Sequence, residues 1–162
     1  MQTENNISTQ VVLSSASTKA KGKETEITQS QIELVRSSFV QVARIADAAG
    51  ALFYRRLFEL DPALRSLFRS DLHEQGRKLI QMLGTAVAWL NRPDKLIPTI
   101  EALGRRHETY GVTPRDYETV GEALLLTLAE GLGEAFTPEV KDAWTAVFEL
   151  IASAMQRQSV TV

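Results

Sequence analysis

Apolar residues recur at intervals of three and four from Thr28 onward, which is the period of an α-helix with one buried face. The first such stripe follows a T-x-x-Q capping box made by Thr28 and Gln31. No hairpin dipeptide and no sustained alternation of period two competes with these stripes. The pattern therefore predicts an all-α fold. The clearest stripes are Ile32, Val35, Phe39 and Val42; Tyr117, Val120, Leu124 and Leu128; and Val140, Trp144, Val147, Ile151 and Met155.

Capping residues and prolines mark the expected helix boundaries. The Asp61-Pro62 pair predicts a short helix that ends at about Phe68, and Asp71 is expected to begin a longer helix that runs to about Leu90. The five prolines are all expected at or near helix boundaries, where a missing N–H costs least. They stand at positions 62, 93, 98, 114 and 138.

The beginning of the chain differs in composition from the rest. Residues 1–27 are rich in Ser, Thr, Gln, Asn and Lys, with few apolar side chains to offset the entropy of ordering them. We predict a flexible tail over 1–27, a helical domain over 28–158 and a short tail over 159–162. The start lacks the features of a secretory signal, and no apolar stretch approaches the roughly 20 residues that span a bilayer. These features predict a cytoplasmic protein that does not enter a membrane.

Composition narrows the chemistry. The 162 residues fit one domain, and a formal charge of -2 gives no reason to expect a nucleic-acid partner. The chain has no cysteine, which excludes a haem attached through thioethers. It has two histidines, so a bound metal must take most of its ligands from elsewhere, for example from a porphyrin.

His107 continues a stripe made by Leu96, Ile100 and Leu103, on a helix face that normally packs inward. An imidazole there is either hydrogen-bonded to its neighbours or bound to a metal, because an unpaired polar group would cost a few kcal/mol. His73 shares its helix face with charged residues, so we expect it at the surface. It is the one other histidine that could ligate a metal.

Two further polar side chains lie on apolar stripes. Tyr54 shares a face with Gly50 and Leu57, and Gln75 stands beside Gly76 on a face with Leu79, Met82 and Ala86. Taken singly, a core tyrosine bonded to a backbone carbonyl and a glutamine at a rim are ordinary. If Gly50 and Gly76 touch at a helix crossing, however, Tyr54 and Gln75 project toward one cavity.

Four segments, read in order, resemble a globin. They are LFYRRLF at 52–58, DPALRSLF at 61–68, QGRKL at 75–79 and GRRH at 104–107. The likeness extends over about 28–158, and the chain is similar to the bacterial single-domain haemoglobins and to the globin domain of flavohaemoglobins.

The resemblance implies a globin fold, a helical sandwich around a haem pocket, which holds haem b without covalent bonds. It implies that His107 is the axial ligand of the iron and that Tyr54 and Gln75 form hydrogen bonds to bound O2. It implies that Phe68 lies against the porphyrin and that Leu79 contacts the haem on the distal side. It also implies that Leu103 and Val112 line the proximal side and that Tyr117 lies beside the proximal histidine.

One departure limits the resemblance. Flavohaemoglobins complete the proximal network with a glutamate late in the last helix, whereas this chain has no carboxylate side chain after Glu149. The sequence also leaves no room for a flavin or nicotinamide domain. We therefore expect neither peroxidase-like activity nor self-sufficient nitric oxide dioxygenase activity.

The leading hypothesis is reversible binding of O2, as in oxygen transport, with NO and CO as further ligands and a separate reductase that keeps the iron ferrous. No residue is assigned as catalytic. Nitric oxide dioxygenation with the separate reductase, a haem-based gas sensor and a haem-free helical module remain the alternatives.

Overall fold

The computed structural model describes residues 27–69 and 71–160. Within these residues the chain contains helices and no strand, so the all-α prediction is confirmed. The α-helices are α1 (Gln29–Arg44), α2 (Ala46–Leu60), α3 (Leu72–Ala88), α4 (Pro93–Thr109), α5 (Pro114–Leu132) and α6 (Pro138–Val160). One 3-10 helix, Pro62–Leu67, joins α2 to α3, and another, Gly133–Ala135, joins α5 to α6.

The predicted tail lies outside the described residues except for Ile27, which is buried in the core. The domain boundaries at 28 and 158 stay predictions.

The helices begin at the capping residues that the sequence indicates. The backbone N–H of Thr28 donates to Gln31 Oε1, and Gln31 N–H donates to Thr28 Oγ1, each at 3.1 Å. Asp61 Oδ1 accepts from Ala63 N at 3.1 Å, which satisfies one of the free N–H groups at the start of the 3-10 helix. These local hydrogen bonds explain why the predicted helix starts are correct to within a few residues.

The expectation that every proline lies at or near a helix boundary is wrong for Pro98. Pro98 lies inside α4, in its second turn, whereas Pro93 occupies the first helical position. A proline there removes the N–H that would donate to the carbonyl of Asp94. Both residues are exposed, so water can bond to that carbonyl, and the packing of α4 outweighs the local preference.

Helix α2 packs against α3 and α5, while α1 and α4 both pack against α6. Trp144 of α6 is fully buried, and its Nε1–H donates to Ser38 Oγ of α1 at 2.9 Å. The Ser38 hydroxyl in turn donates to the carbonyl of Leu34 at 2.7 Å. A buried indole N–H needs such an acceptor, so this pair fixes α1 on α6.

The predicted crossing of Gly50 and Gly76 is confirmed. A Cβ atom built on Gly50 would lie 2.8 Å from the Cα of Gly76, which is closer than side chains tolerate. The backbones of α2 and α3 therefore meet at this point because neither residue has a side chain. Tyr54 lies one turn after Gly50, and Gln75 is the chain neighbour of Gly76.

The consecutive helices α3 and α4 pack on different partners. Helix α3 packs on α1 and α2, and α4 packs on α6. Arg36 of α1 holds the C-terminal end of α3, since its guanidinium donates to the carbonyls of Val87 and Ala88 at 3.3 and 3.0 Å. Within the described residues, α3 and α4 do not pack extensively against each other.

Candidate functional site

His107 lies near the C-terminal end of α4, where it is partly buried. Its Nδ1 lies 3.0 Å from the carbonyl oxygen of Leu103, one turn earlier. A carbonyl can only accept, so Nδ1 carries the proton and donates. In the neutral ring, Nε2 then keeps its lone pair and is the atom free to ligate a metal.

The environment of His107 favours that neutral ring. Burial lowers the pKa of His107, because it removes water from the charged form. The positive charge of Arg106 lowers this pKa further, while the hydrogen bond to Leu103 acts in the opposite direction. A lowered pKa keeps the imidazole uncharged near neutral pH, which is the state that ligates a metal.

The stripe that carries His107 is only half buried. Leu96 and Ile100 are 2% and 1% exposed, whereas Leu103 and His107 at the other end of α4 are only partly buried. The first two pack into the core, and the last two face a less filled region.

Tyr54 is 7% exposed on α2. Its ring lies against those of Phe53, Phe58 and Phe68, with centroids 5.0, 5.9 and 5.2 Å away. Burial raises the pKa of Tyr54 to about 12, so the hydroxyl stays protonated and can donate. The ordinary alternative for a core tyrosine, a hydrogen bond to a backbone carbonyl, is not formed. The hydroxyl has no hydrogen-bond partner among the described residues. A buried hydroxyl without a protein partner is able to form a hydrogen bond to a bound group.

Gln75 lies in the first turn of α3, where it is partly buried. Its backbone N–H donates to the carbonyl of Asp71 at 3.0 Å, and its side-chain amide forms no hydrogen bond within the described residues. Gln75 directly precedes Gly76 in α3, and Tyr54 lies one turn after Gly50 in α2. Both polar side chains therefore belong to residues within about one turn of the glycine crossing, and neither forms a hydrogen bond within the described residues.

Four apolar candidates are partly buried and pack against the core: Phe68, Leu79, Leu103 and Val112. Val112 follows α4, and its N–H donates to the carbonyl of His107 at 3.3 Å. A Cβ on Gly111, which has a φ of +94°, would lie 3.8 Å from Leu67 Cδ2. The chain after His107 therefore passes near Leu67 at the end of the 3-10 helix, and the next residue, Phe68, lies against the ring of Tyr54.

A family model described as globin matches residues 51–155. The chain belongs to the globin family. It is 30% identical to a neuroglobin of Tetraodon nigroviridis over 139 residues, which cover 77% of this chain and 87% of that protein. It is 31% identical to a neuroglobin of Danio rerio over 138 residues, with 76% and 87% covered. A flavohemoprotein of Vibrio cholerae is 29% identical over 129 residues, which are 78% of this chain and 33% of that protein.

Membership of this family implies a haem cofactor and haem-based binding of a diatomic gas. The residues of this globin fit that group. Within the described residues no three His, Cys, Asp or Glu side chains are placed to share a metal ion. A neutral histidine with a free Nε2, in a domain that also holds a tyrosine hydroxyl without a partner among the described residues, instead suits a metal that brings a macrocycle of its own. No helix among the described residues is long and apolar enough to cross a membrane.

The remaining candidates differ in their surroundings. Tyr117 of α5 is buried, and burial, together with the charges of Glu108 and Asp116, raises its pKa. His73 is exposed as expected, with 58% of its side chain accessible, and its Nε2 lies 3.9 Å from Asp47 Oδ1. The two histidines of this globin therefore differ sharply in burial.

Gly104, which the sequence marked only as part of the GRRH segment, lies between Leu103 and the two arginines that precede His107. A Cβ on Gly104 would lie 2.7 Å from the Cα of Met155 in α6. Its position inside a predicted helix is the one signal that could have indicated this contact. A glycine there is costly unless a close approach of another backbone requires it.

Proposed function

We propose that this globin binds haem b non-covalently in the cytoplasm and uses it to bind O2 reversibly, with NO and CO as further ligands. In this proposal His107 would hold the haem iron through its Nε2, and a separate reductase would keep the iron ferrous. The observation that carries the proposal is the 3.0 Å hydrogen bond from His107 Nδ1 to the carbonyl of Leu103, because it leaves Nε2 available. The lowered pKa of His107 supports the same role.

On the proximal side, the carbonyl of Leu103 orients the imidazole, as second hydrogen bonds do for metal-bound histidines in general. The side chains of Leu103 and Val112 are proposed to contact the porphyrin next to His107, and Tyr117 is proposed to stand beside them. The partial exposure of Leu103 and Val112 supports their assignment, because a bound porphyrin would cover apolar surface that the protein leaves accessible.

On the distal side, we assign hydrogen-bond donation to Tyr54 and Gln75. When bound, ferrous haem would supply O2 with a partial negative charge that hydrogen-bond donors stabilise. The Tyr54 hydroxyl is protonated at neutral pH and lacks another partner among the described residues, so it is free to donate. The amide of Gln75 is a second donor. Phe68 and Leu79 are proposed as the apolar wall that excludes water.

The two histidines give a matched test of this proposal. His107→Ala should abolish or severely weaken haem retention, whereas His73→Ala should keep full haem content and an unchanged absorption spectrum. Haem is quantified per chain in the purified proteins, and ferric and ferrous spectra are recorded. Full haem content with a histidine-ligated spectrum in His107→Ala would contradict the proposal. A changed coordination state in His73→Ala would make His73 a second ligand.

A second candidate is nitric oxide dioxygenation, in which NO and O2 become nitrate with one electron from the separate reductase. The likeness to a flavohemoprotein favours it, and the aligned part is 33% of that protein. Nitrate formation from NO and O2 with an added reductase distinguishes the two. Catalytic turnover would favour the enzyme, and a single turnover that ends at ferric iron would favour gas binding.

A further inference from the structure

Gly104 brings the backbone of α4 against the backbone of α6. A Cβ built on Gly104 would lie 2.7 Å from both the Cα and the carbonyl carbon of Met155, and closer still to its oxygen. These are helix backbone atoms, which cannot turn aside. At Gly84 of α3, by contrast, the nearest atoms belong to the ring of Phe39 at 3.3 Å, and that side chain can adjust.

The contact lies within one helical turn of the proposed iron ligand. Gly104 precedes His107 by three residues and directly follows Leu103, whose carbonyl holds the Nδ1 of His107. Any shift of the backbone at Gly104 therefore moves both the helix that carries the imidazole and the oxygen that fixes its rotation.

We propose that Gly104 is a positioning residue: its backbone contact with Met155 sets the height and the rotation of the His107 imidazole relative to the haem. This inference rests on the proposed function, since it needs His107 as the axial ligand. Ordinary contact begins near 3.4 Å. A Cβ that starts at 2.7 Å therefore forces α4 away from α6 by at least about 0.7 Å. Close packing leaves no slack to absorb such a shift.

The test is Gly104→Ala in the full haem-loaded protein. Resonance Raman spectra of the ferrous form report the stretching vibration of the bond between the iron and the histidine. We expect this band to shift, and the rates of O2 and CO binding to change by a common factor of about 3 to 10. A common factor is expected because the proximal side acts on the iron and does not distinguish the two gases.

Two variants provide matched controls. Gly50→Ala also creates a clash with helix backbone, at 2.8 Å from the Cα of Gly76, which is milder than the clash at Gly104 and lies on the proposed distal side. It should alter the dissociation of O2 more than that of CO and leave the iron–histidine band in place. Met155→Ala removes the buried side chain and keeps the backbone contact, so it should lower stability without moving the band.

Replacing the histidine side chain by free imidazole tests whether attachment to α4 positions the iron ligand. In His107→Gly supplied with imidazole, the ligand is no longer attached to α4. We expect its iron–imidazole band to differ from that of the intact protein, and Gly104→Ala to cause no further shift in this background. The first comparison keeps Gly104, so it remains decisive even if Gly104→Ala does not fold.

Three outcomes would overturn the inference: an unmoved band in a folded Gly104→Ala, the same band with attached and detached imidazole, or an equal shift in Met155→Ala. Absence of any iron–histidine band in the unmodified protein would instead contradict the proposed function. The two failures are therefore distinguishable.

Discussion

The hydroxyl of Tyr54 offers the sharpest test of the distal side of this globin, because Tyr54→Phe removes it and keeps the ring. The ring contacts with Phe53, Phe58 and Phe68 depend on the aromatic carbons and are retained in the variant. The hydroxyl has no hydrogen-bond partner among the described residues. Its removal should therefore leave the stability of the haem-free protein unchanged or slightly higher, since no bond is lost and a buried polar group disappears.

The expected effect on O2 follows from one hydrogen bond. With a pKa of about 12, the hydroxyl is protonated at neutral pH, so it is able to donate, as proposed, to the partly negative outer oxygen of O2. A hydrogen bond to a charged acceptor contributes about 1.5–3 kcal/mol, which corresponds to roughly 10- to 100-fold in an equilibrium constant. We expect O2 to dissociate faster from Tyr54→Phe by this factor.

Stopped-flow measurement of O2 and CO dissociation from the same preparations supplies the assay. Bound CO carries much less negative charge on its outer atom, so its dissociation should change far less and serves as the internal control. Equal responses of the two gases, or no response of either, would refute the reasoning. Tyr54 would then be a packing residue, and the hydrogen bond to O2 would have to come from Gln75.

Three further predictions concern stability, each measured by urea unfolding of the haem-free protein. Burial lowers the pKa of His107, so the unfolded chain binds its proton at a higher pH. The contribution of His107 to the free energy of unfolding should be fully present above pH ~6.5 and should be lost as the pH drops toward the folded pKa. An equal pH dependence of the unfolding free energy in His107→Ala would contradict this. Gly76→Leu should destabilise by a few kcal/mol through overpacking at the helix crossing, and a change below about 0.5 kcal/mol would remove that argument. Ser38→Ala should cost about 1–3 kcal/mol, because the Trp144 indole loses its acceptor; an equal effect of the exposed Ser37→Ala would refute this.

The sequence by itself determined the helices and much of their orientation. Caps such as Thr28 and Asp61 act through hydrogen bonds to residues two or three positions away, so the information lies within a few residues of each boundary. The apolar stripe placed His107 on an inward face, and two glycines predicted a helix crossing that the structure contains. Local periodicity was enough for each of these.

The tertiary structure decided what those faces meet. Ser38 and Trp144 are 106 positions apart, and no local pattern pairs them. The backbone contact of Gly104 with Met155 depends on where α4 crosses α6. The partial exposure of Leu103 and His107 depends on how far along α4 this packing extends. Pro98 stays inside α4 for a similar reason. A stripe specifies which side of a helix is buried, but the partner and the depth follow from the packing of whole helices, which is fixed by contacts distant in sequence.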